Sequence, residues 1–508
     1  MNVVDLFRRQ AEARPDAPAL VEGQRGHRRV VTFADLDRRA ERGAGRLRAA
    51  GLGPGDRVLV LVPFSTRLYE VLASVFRAGL VAVVLDPGAG RAHVARCCEM
   101  AAPAAFVGSP KAHLLRVVPA VRAVPRRFVV DGWAPRADAW DAAPPADGGA
   151  GGVEGVGPDA PALLTFTSGT TGAPKAAVRT HGLLAAQHAA LAAALGLESG
   201  QVDLATLPVV ALASLASGAT VVLPDADLRR PALFNARRVL GQIRTERPTR
   251  CTAGPAFFEH LLDRARPGDL DSFERVDVGG APVHPDVLRR LEAAGARAFA
   301  VYGSTEAEPI AHTRLTDADA ERVAGGGGLP AGTPVPEVDL RVVADRWGRP
   351  LGPFTAAEWD AEALPAGETG EIVVAGDHVV PGYLGGVGDA DTKVDVDGRR
   401  WHRTGDAGRL EADGRLWLEG RCGAAVGGAT PLPVEAAVRT RTGARAALVD
   451  VDGRRVLAVE GAVPVTLARE LRGGAVDEVA PVRRLPVDRR HNAEVDRAAL
   501  RDRLRRGR

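Results

Sequence analysis

Thr167-Ser168-Gly169-Thr170-Thr171-Gly172-Ala173-Pro174-Lys175 is a run of hydroxyls and glycines that closes on a lysine. Such a segment can hold phosphate. Glycines let backbone amides approach an anion, the hydroxyls donate to phosphate oxygens, and the lysine adds a mobile point charge. The lysine is informative because the chain has 66 basic residues and only three lysines, Lys111, Lys175 and Lys393. A polar surface turn has a similar composition. Against that reading, Ala162-Leu163-Leu164-Thr165-Phe166 has the pattern of a buried strand, and a second short strand and a helix starting at His181 follow the loop. Pro174 stiffens the approach to the lysine. The spacing does not fit a P-loop, which needs Gly-Lys-Ser/Thr after a longer gap between glycines.

The elements around this loop alternate. Met1 to Pro15 and Phe33 to Ala50 have helical spacing, and Arg57 to Val62 reads as a strand. A helix over Leu68 to Ala78 and a strand over Leu80 to Leu85 follow. Alternation of this kind predicts an α/β domain with largely parallel sheets, and it runs on to about residue 310. Residues 143–160, rich in Pro, Gly and Ala, read as a flexible lead-in to the loop. Ala205 to Pro224 is apolar, but Pro208, Gly218 and two serines make it a strand–helix–strand passage through a core rather than a membrane span. From Gly328 to Gly420 short strands alternate with Gly/Asp turns, which predicts a β-rich subdomain. Beyond Gly420 the pattern is that of a small α+β unit, and its arginine-dense end, Arg501 to Arg508, reads as a solvated helix end.

Bulk properties narrow the function classes. A chain of 508 residues with 46% hydrophobic and 25% charged residues is long enough for two or three cores. A net charge of +3 gives no global support for nucleic-acid binding. Cys97, Cys98, Cys251 and Cys422 have neither metal spacing nor a disulfide framework. With no signal peptide evident, the expected location is the cytoplasm.

Further islands follow the loop in order: Val301-Tyr302-Gly303-Ser304-Thr305-Glu306, then Arg403-Thr404-Gly405-Asp406, then Gly420-Arg421. Taken singly, Glu306 could be a surface carboxylate, Asp406 a turn residue and Tyr302 core. Together and in this order the motifs resemble the adenylate-forming (ANL) superfamily, over nearly the whole chain. The resemblance implies a large N-terminal domain, residues 1–420, of two α/β subdomains plus a β-rich one, and a small α+β C-terminal lid, residues 421–508. It implies ATP and Mg²⁺ as cofactors. Thr167, Ser168, Gly169, Thr170, Thr171, Gly172 and Lys175 would hold the β/γ-phosphates. Gly279, Gly280, Ala281 and Tyr302, with Gly303 beside it, would flank the adenine. Thr305 would touch the α-phosphate, Glu306 would ligate the metal, and Asp406 would take the ribose hydroxyls with Arg421 assisting. Lys175, Thr305, Glu306 and Arg421 are the catalytic candidates. Electrostatics supports the scheme, because a carboxylate attacking an α-phosphate brings negative charges together and needs cations and donors around them.

Within the superfamily, Asp86-Pro87-Gly88-Ala89-Gly90, Asp203-Leu204-Ala205-Thr206-Leu207-Pro208, Trp401-His402-Arg403-Thr404-Gly405-Asp406 and Pro486-Val487-Asp488-Arg489-Arg490-His491-Asn492-Ala493 look like the olefin β-lactone synthetase branch. That likeness implies adenylation of a fatty or 2-alkyl-3-hydroxy fatty acid with release of pyrophosphate. The substrate's own 3-hydroxyl would then displace AMP and close a β-lactone, helped by the effective molarity of a tethered nucleophile. The alternatives are a fatty acyl-CoA or acyl-AMP ligase, and a degenerate paralogue that binds ATP or acyl ligand with little turnover. The expected partners are a small acyl substrate and biosynthetic enzymes, with no nucleic acid.

Two positions depart from the pattern. Where the family places a C-terminal lysine this chain has Glu494, and no lysine follows Lys393. Like charges about 4 Å apart repel by about 4 kcal/mol at an effective dielectric near 20. Either Glu494 points to solvent, or Arg489, Arg490 or Arg497 substitutes for the lysine, or adenylation is impaired. The hinge stretch Cys422-Gly423-Ala424-Ala425 lacks the acidic or lysine residue of CoA ligases, which weakens the case for a thioester-forming step.

Overall fold

A computed structural model of the chain describes residues 1–24, 27–142, 152–168, 174–230, 233–462, 467, 470, 474–486 and 495–506. The local rules of the sequence are visible in its helices. Phe33–Ala49 starts where the Thr32 hydroxyl accepts from the Asp35 amide, and buries Phe33, Leu36, Ala40, Ala44 and Leu47 along one stripe. His181–Leu195 is capped in the same way by Thr180 and stops at Gly196, whose φ of 63° is the left-handed conformation of a helix end.

Three sheets organise the described residues. A seven-stranded sheet carries the parallel strands Arg57–Leu61, Val81–Val84, Ala105–Gly108 and Arg126–Val129. Pro161–Ser168 joins it parallel to Val81–Val84, and Pro174–Thr180 turns back antiparallel at its edge. A 14-stranded sheet contains the second parallel set: Thr220–Leu223, Val202–Ala205, Arg250–Ala253, Arg275–Gly279 and Arg297–Ser304. Val58, Val60, Leu72 and Phe76 from around the first sheet share one core with Ala205, Leu215 and Leu223 from the second. That shared burial fuses the two layers.

The stretch expected to be β-rich over 328–420 is so, and its strands join the second sheet through Leu329–Pro334. Ala307–Arg314 and Leu329–Pro334 continue the 14-stranded sheet antiparallel, and Leu416–Arg421, Arg399–Leu410, Gly370–Ala375 and Asp339–Val343 extend it to the far edge. Strand patterning specifies which face is buried, not which neighbour pairs, so this continuity leaves no mark in the sequence. The passage over 205–224 is a strand, a helix (Pro208–Ala216) and a strand. Among the described residues no helix is long and apolar enough to cross a membrane.

A separate three-stranded sheet, Ala446–Val451, Arg454–Glu460 and Glu478–Val482, packs with helices Pro431–Thr442 and Arg497–Arg506 in the C-terminal part. Most of 501–506 is exposed at the end of the last helix, as its arginine density suggests. Arg439 bridges this unit to the main body, donating to Asp286 Oδ1 at 3.1 Å and Oδ2 at 2.9 Å and pairing with Glu259.

Candidate active site

The site is built at the edges where the sheets approach each other. Strands Pro161–Ser168 and Pro174–Thr180 form a hairpin in which Thr167 stands opposite Lys175. Gly169, Thr170, Thr171, Gly172 and Ala173 lie outside the described residues, as do the side chains of Thr167 and Ser168. Lys175 itself is 7% exposed. Its ammonium lies 5.7 Å from the centre of the Tyr383 ring and has no hydrogen-bond acceptor among the described residues. A side chain at Gly388 would overlap Lys175, with a Cβ only 2.8 Å from Nζ, and Gly388 also has a φ of 95° that favours glycine.

Tyr383 connects this lysine to the next motif. Its hydroxyl donates to Glu306 Oε1 at 2.8 Å, and the Val380 amide donates to the Glu306 carbonyl at 2.8 Å. Burial, then the Glu306 charge, raise the Tyr383 hydroxyl above its usual range, which keeps it a donor. The ammonium of Lys393 also lies near this ring, 5.2 Å from its centre. Lys393 is 3% exposed, donates to the Val380 carbonyl and lies 3.2 Å from His402 Nδ1. Burial pulls Lys393 down to about 8, while Glu306 and Asp389 favour its charged form. Burial and the adjacent Lys393 hold His402 well below the usual histidine range, so it is a neutral neighbour.

A second cluster gathers Tyr302, Asp406 and Arg421. Asp406 and Arg421 face each other in the antiparallel ladder. Arg421 Nη1 donates to Asp406 Oδ1 at 2.6 Å, and the Tyr302 hydroxyl donates to Oδ2 at 2.8 Å. Each carboxylate oxygen keeps a lone pair for a further donor. Burial disfavours charge on Arg421, but Asp406 outweighs it and holds the guanidinium above its ordinary value. Burial, then Asp406, push the Tyr302 hydroxyl well up. The chain stays tied to the main body just after Arg421: the Cys422 amide donates to the Gly405 carbonyl at 2.9 Å, and the Gly423 amide to Asp345 Oδ2 at 3.0 Å.

Gly279 ends the strand Arg275–Gly279, and together with the following Gly280 and with Gly303 it lines a small pocket walled by Leu191, Leu195, Leu207, Val210 and Val301, with Thr252 and Glu308 also in its lining. A Cβ at Gly279 would lie 2.8 Å from the Val301 carbonyl, so only glycine fits there. Ala281, which follows these glycines in the sequence, is not among the residues lining the cavity. Thr305 is exposed, and its carbonyl accepts from buried Arg179, which also donates to the Thr165 hydroxyl.

The match to a family model is decisive. The model described as "AMP-binding enzyme" covers residues 7–384. The chain belongs to the AMP-binding enzyme family. It is an AMP-forming, adenylating ligase of the ANL superfamily. An olefin beta-lactone synthetase of Stenotrophomonas maltophilia is 33% identical over 98% of this chain and 97% of its own length. A second, from Xanthomonas campestris, is 31% identical over 98% of this chain and 96% of its own. Among solved structures, an amide bond synthetase from Marinactinospora thermotolerans superposes with a TM-score of 0.80 at 24% identity, covering 99% of both chains, which shows the common mixed α/β fold.

Sequence reasoning missed three side chains of this ligase: Tyr383, Lys393 and His402. A signal existed for two of them. Lys393 is one of three lysines and Tyr383 one of three tyrosines, so the rarity that singled out Lys175 also pointed to its neighbours. Glu494, Arg489 and Arg490 lie outside the described residues. Arg497 is described, and it is committed elsewhere: it donates to both Glu435 oxygens, at 2.7 and 3.0 Å, and to the Leu448 carbonyl at 2.7 Å. It is not a free replacement for the C-terminal lysine.

Proposed function

We propose that this ligase adenylates a fatty or 2-alkyl-3-hydroxy fatty acid with release of pyrophosphate, and that the 3-hydroxyl then closes a β-lactone and expels AMP. The observation that carries this reading is the full-length similarity to two olefin beta-lactone synthetases, 33% and 31% identical over 98% of the chain. The site supports it in three ways. Lys175 is a buried cation with no acceptor among the described residues, a costly arrangement that a phosphate would relieve. Asp406 keeps lone pairs for sugar hydroxyls between two donors that fix its orientation. The pocket beside Gly279 and Gly280 is lined mainly by leucine and valine, the kind of surface an acyl chain would meet.

In this reading 167–172 and Lys175 contact the β/γ-phosphates, Thr305 the α-phosphate, and Tyr302 with Gly279, Gly280, Ala281 and Gly303 surrounds the adenine. Asp406 and Arg421 hold the ribose. The division between the large domain and the C-terminal lid falls at 420/421. Glu306 fits a Mg²⁺ ligand: it is a hard oxygen donor with one oxygen fixed by Tyr383 and the other without a hydrogen bond among the described residues. Bound there, Mg²⁺ would neutralise charge on the phosphate oxygens.

The test supplies ATP, Mg²⁺ and either a 3-hydroxy fatty acid or a plain fatty acid of the same length, with and without CoA. AMP release with lactone from the hydroxy acid alone supports the proposal. A CoA-dependent thioester replaces it with an acyl-CoA ligase, and ATP binding without AMP from any acid replaces it with a degenerate paralogue.

A further inference from the structure

Among the described residues six large apolar side chains are exposed: Met1, Leu114, Val117, Trp133, Leu233 and Val387. Such residues occur singly on any surface, but five of these six collect at one edge of the molecule. Arg57–Leu61, Val81–Val84, Ala105–Gly108, Arg126–Val129 and Pro161–Ser168 run parallel, so the segments that follow them leave the sheet at one edge. Leu114 and Val117 come after Ala105–Gly108 and stack three residues apart on the 3₁₀ turn Ala112–Val117, and Trp133 comes after Arg126–Val129. The two segments touch: Arg116 donates to the Pro135 carbonyl, and a Cβ at Gly132 would lie 2.8 Å from Pro110 Cγ. Val387 belongs to the same edge, beside the Gly388 that leaves room for Lys175, the residue opposite Thr167 near the end of Pro161–Ser168. Leu233 is tied to it through Arg229 and Arg230. Its amide donates to the Arg230 carbonyl at 2.9 Å, and the hydrogen bond to Asp227 together with Asp86, which follows Val81–Val84, holds Arg229 above its ordinary value. Met1, the sixth, donates to the Val156 carbonyl beside Gly79, at the opposite end of Val81–Val84.

The charges at this edge are asymmetric. Arg91, Lys111, Arg136 and Arg230 are exposed and form no ion pair among the described residues. The acids there are committed: Asp131 pairs with Arg67 at 2.9 Å, Asp227 with Arg229 at 2.8 Å, and Asp86 accepts from the Gly88 amide at 2.8 Å. Burial, then the charges of Arg127 and Arg136, hold the Arg116 guanidinium below its ordinary value, so positive charge is crowded beside Leu114 and Val117. Exposed apolar side chains among uncommitted cations match an anionic lipid surface. Tryptophan settles at headgroup level, the aliphatic side chains enter the acyl boundary, and arginine and lysine meet the phosphates.

We infer that the edge carrying Leu114, Val117, Trp133, Leu233 and Val387 docks on an anionic membrane surface, where the ligase meets its acyl substrate. The place of the edge fits that use. Pro161–Ser168, the strand that leads to Lys175, lies three places from Ala105–Gly108 in the sheet, about 14 Å at the usual strand spacing. The apolar patch and the candidate phosphate site therefore share one side of the sheet. Docking is a property of the surface and does not rest on the proposed reaction, so a different product from the acid leaves it standing.

The test sediments the full-length protein with vesicles of phosphatidylglycerol and phosphatidylcholine, and with vesicles of phosphatidylcholine alone. The expected result is binding to the anionic vesicles that falls several-fold when salt is raised to about 0.5 M, with little binding to the neutral ones. Trp133→Ser and Leu114→Ser should each cut the bound fraction about fivefold, and the double variant Lys111→Glu/Arg136→Glu about tenfold. All four positions are exposed, so each variant should melt within a few degrees of wild type, which separates lost docking from lost folding. No sedimentation with the anionic vesicles, equal sedimentation with the neutral ones, or sedimentation that none of the variants changes overturns the inference. So does a lipid-free dimer that Trp133→Ser dissociates, because a second copy of the chain would then be the occupant of this edge.

Discussion

The Tyr383 hydroxyl donates to Glu306 Oε1 at 2.8 Å, and the centre of the ring that carries it lies 5.7 and 5.2 Å from the ammonium groups of Lys175 and Lys393. One aromatic side chain therefore orients the candidate metal ligand and contacts both buried lysines of the site. Tyr383→Phe should preserve the packing and remove only the hydroxyl. The expected result is a fall in pyrophosphate release of roughly ten- to a hundredfold and a higher Mg²⁺ concentration for half-maximal rate, with a melting temperature within a few degrees of wild type. A Mg²⁺ titration of the initial rate checks this.

Lys175 can be separated from a structural lysine by its effect on stability. A buried cation without an acceptor costs folding free energy, so Lys175→Met should leave the ligand-free protein as stable or more stable. The same variant should lose at least tenfold in ATP affinity and most of the ATP-induced rise in melting temperature. Thermal melts with and without ATP read both effects. A lower melting temperature with an intact ATP response would mean that the lysine serves packing.

Lys393 makes the site sensitive to pH. Burial lowers it to about 8, so its charge is lost as pH rises from 7 to 9, and ATP affinity should weaken over that interval. Lys393→Met should bind ATP more weakly at pH 7 and show a flatter profile. For stability the sign is opposite. Between about 8 and the unfolded value near 10.5 the unfolded chain binds more protons, so this group's contribution to stability rises with pH. Isothermal titration at pH 7, 8 and 9 tests the first effect, and thermal melts over pH 8 to 10 the second.

Arg439 is the described ionic link from the C-terminal helix Pro431–Thr442 to Asp286 and Glu259 of the main body. Arg439→Ala should loosen this docking, and limited proteolysis should cut between Arg421 and Pro431 several-fold faster than in wild type. Equal cleavage rates would mean that apolar packing such as Trp417 against Ala436 holds the unit in place.

Legibility followed how local the information was. The helices starting at Phe33 and His181 could be read because their apolar spacing is set within a few residues. Tyr302, Glu306, Asp406 and Arg421 could be assigned together because their motifs occur in a fixed order, and the fold brings Tyr302, Asp406 and Arg421 into direct contact. Lys393 was visible as a rare residue but had no readable role. Its partners, the Val380 carbonyl, His402 and the Tyr383 ring, converge only through tertiary structure. Sheet continuity was hidden for a similar reason, since an alternating strand reads the same whichever neighbour it pairs with.

The most direct test follows oxygen atoms. A 3-hydroxy fatty acid labelled with ¹⁸O in its carboxyl group would be incubated with the enzyme, ATP and Mg²⁺, without CoA. Adenylation transfers one carboxyl oxygen to phosphorus, and attack by the unlabelled 3-hydroxyl then breaks the acyl carbon–oxygen bond. Mass spectrometry should find AMP carrying one ¹⁸O together with a β-lactone retaining the other label. Unlabelled AMP, or labelled AMP that forms only with CoA and a thioester, would contradict the account.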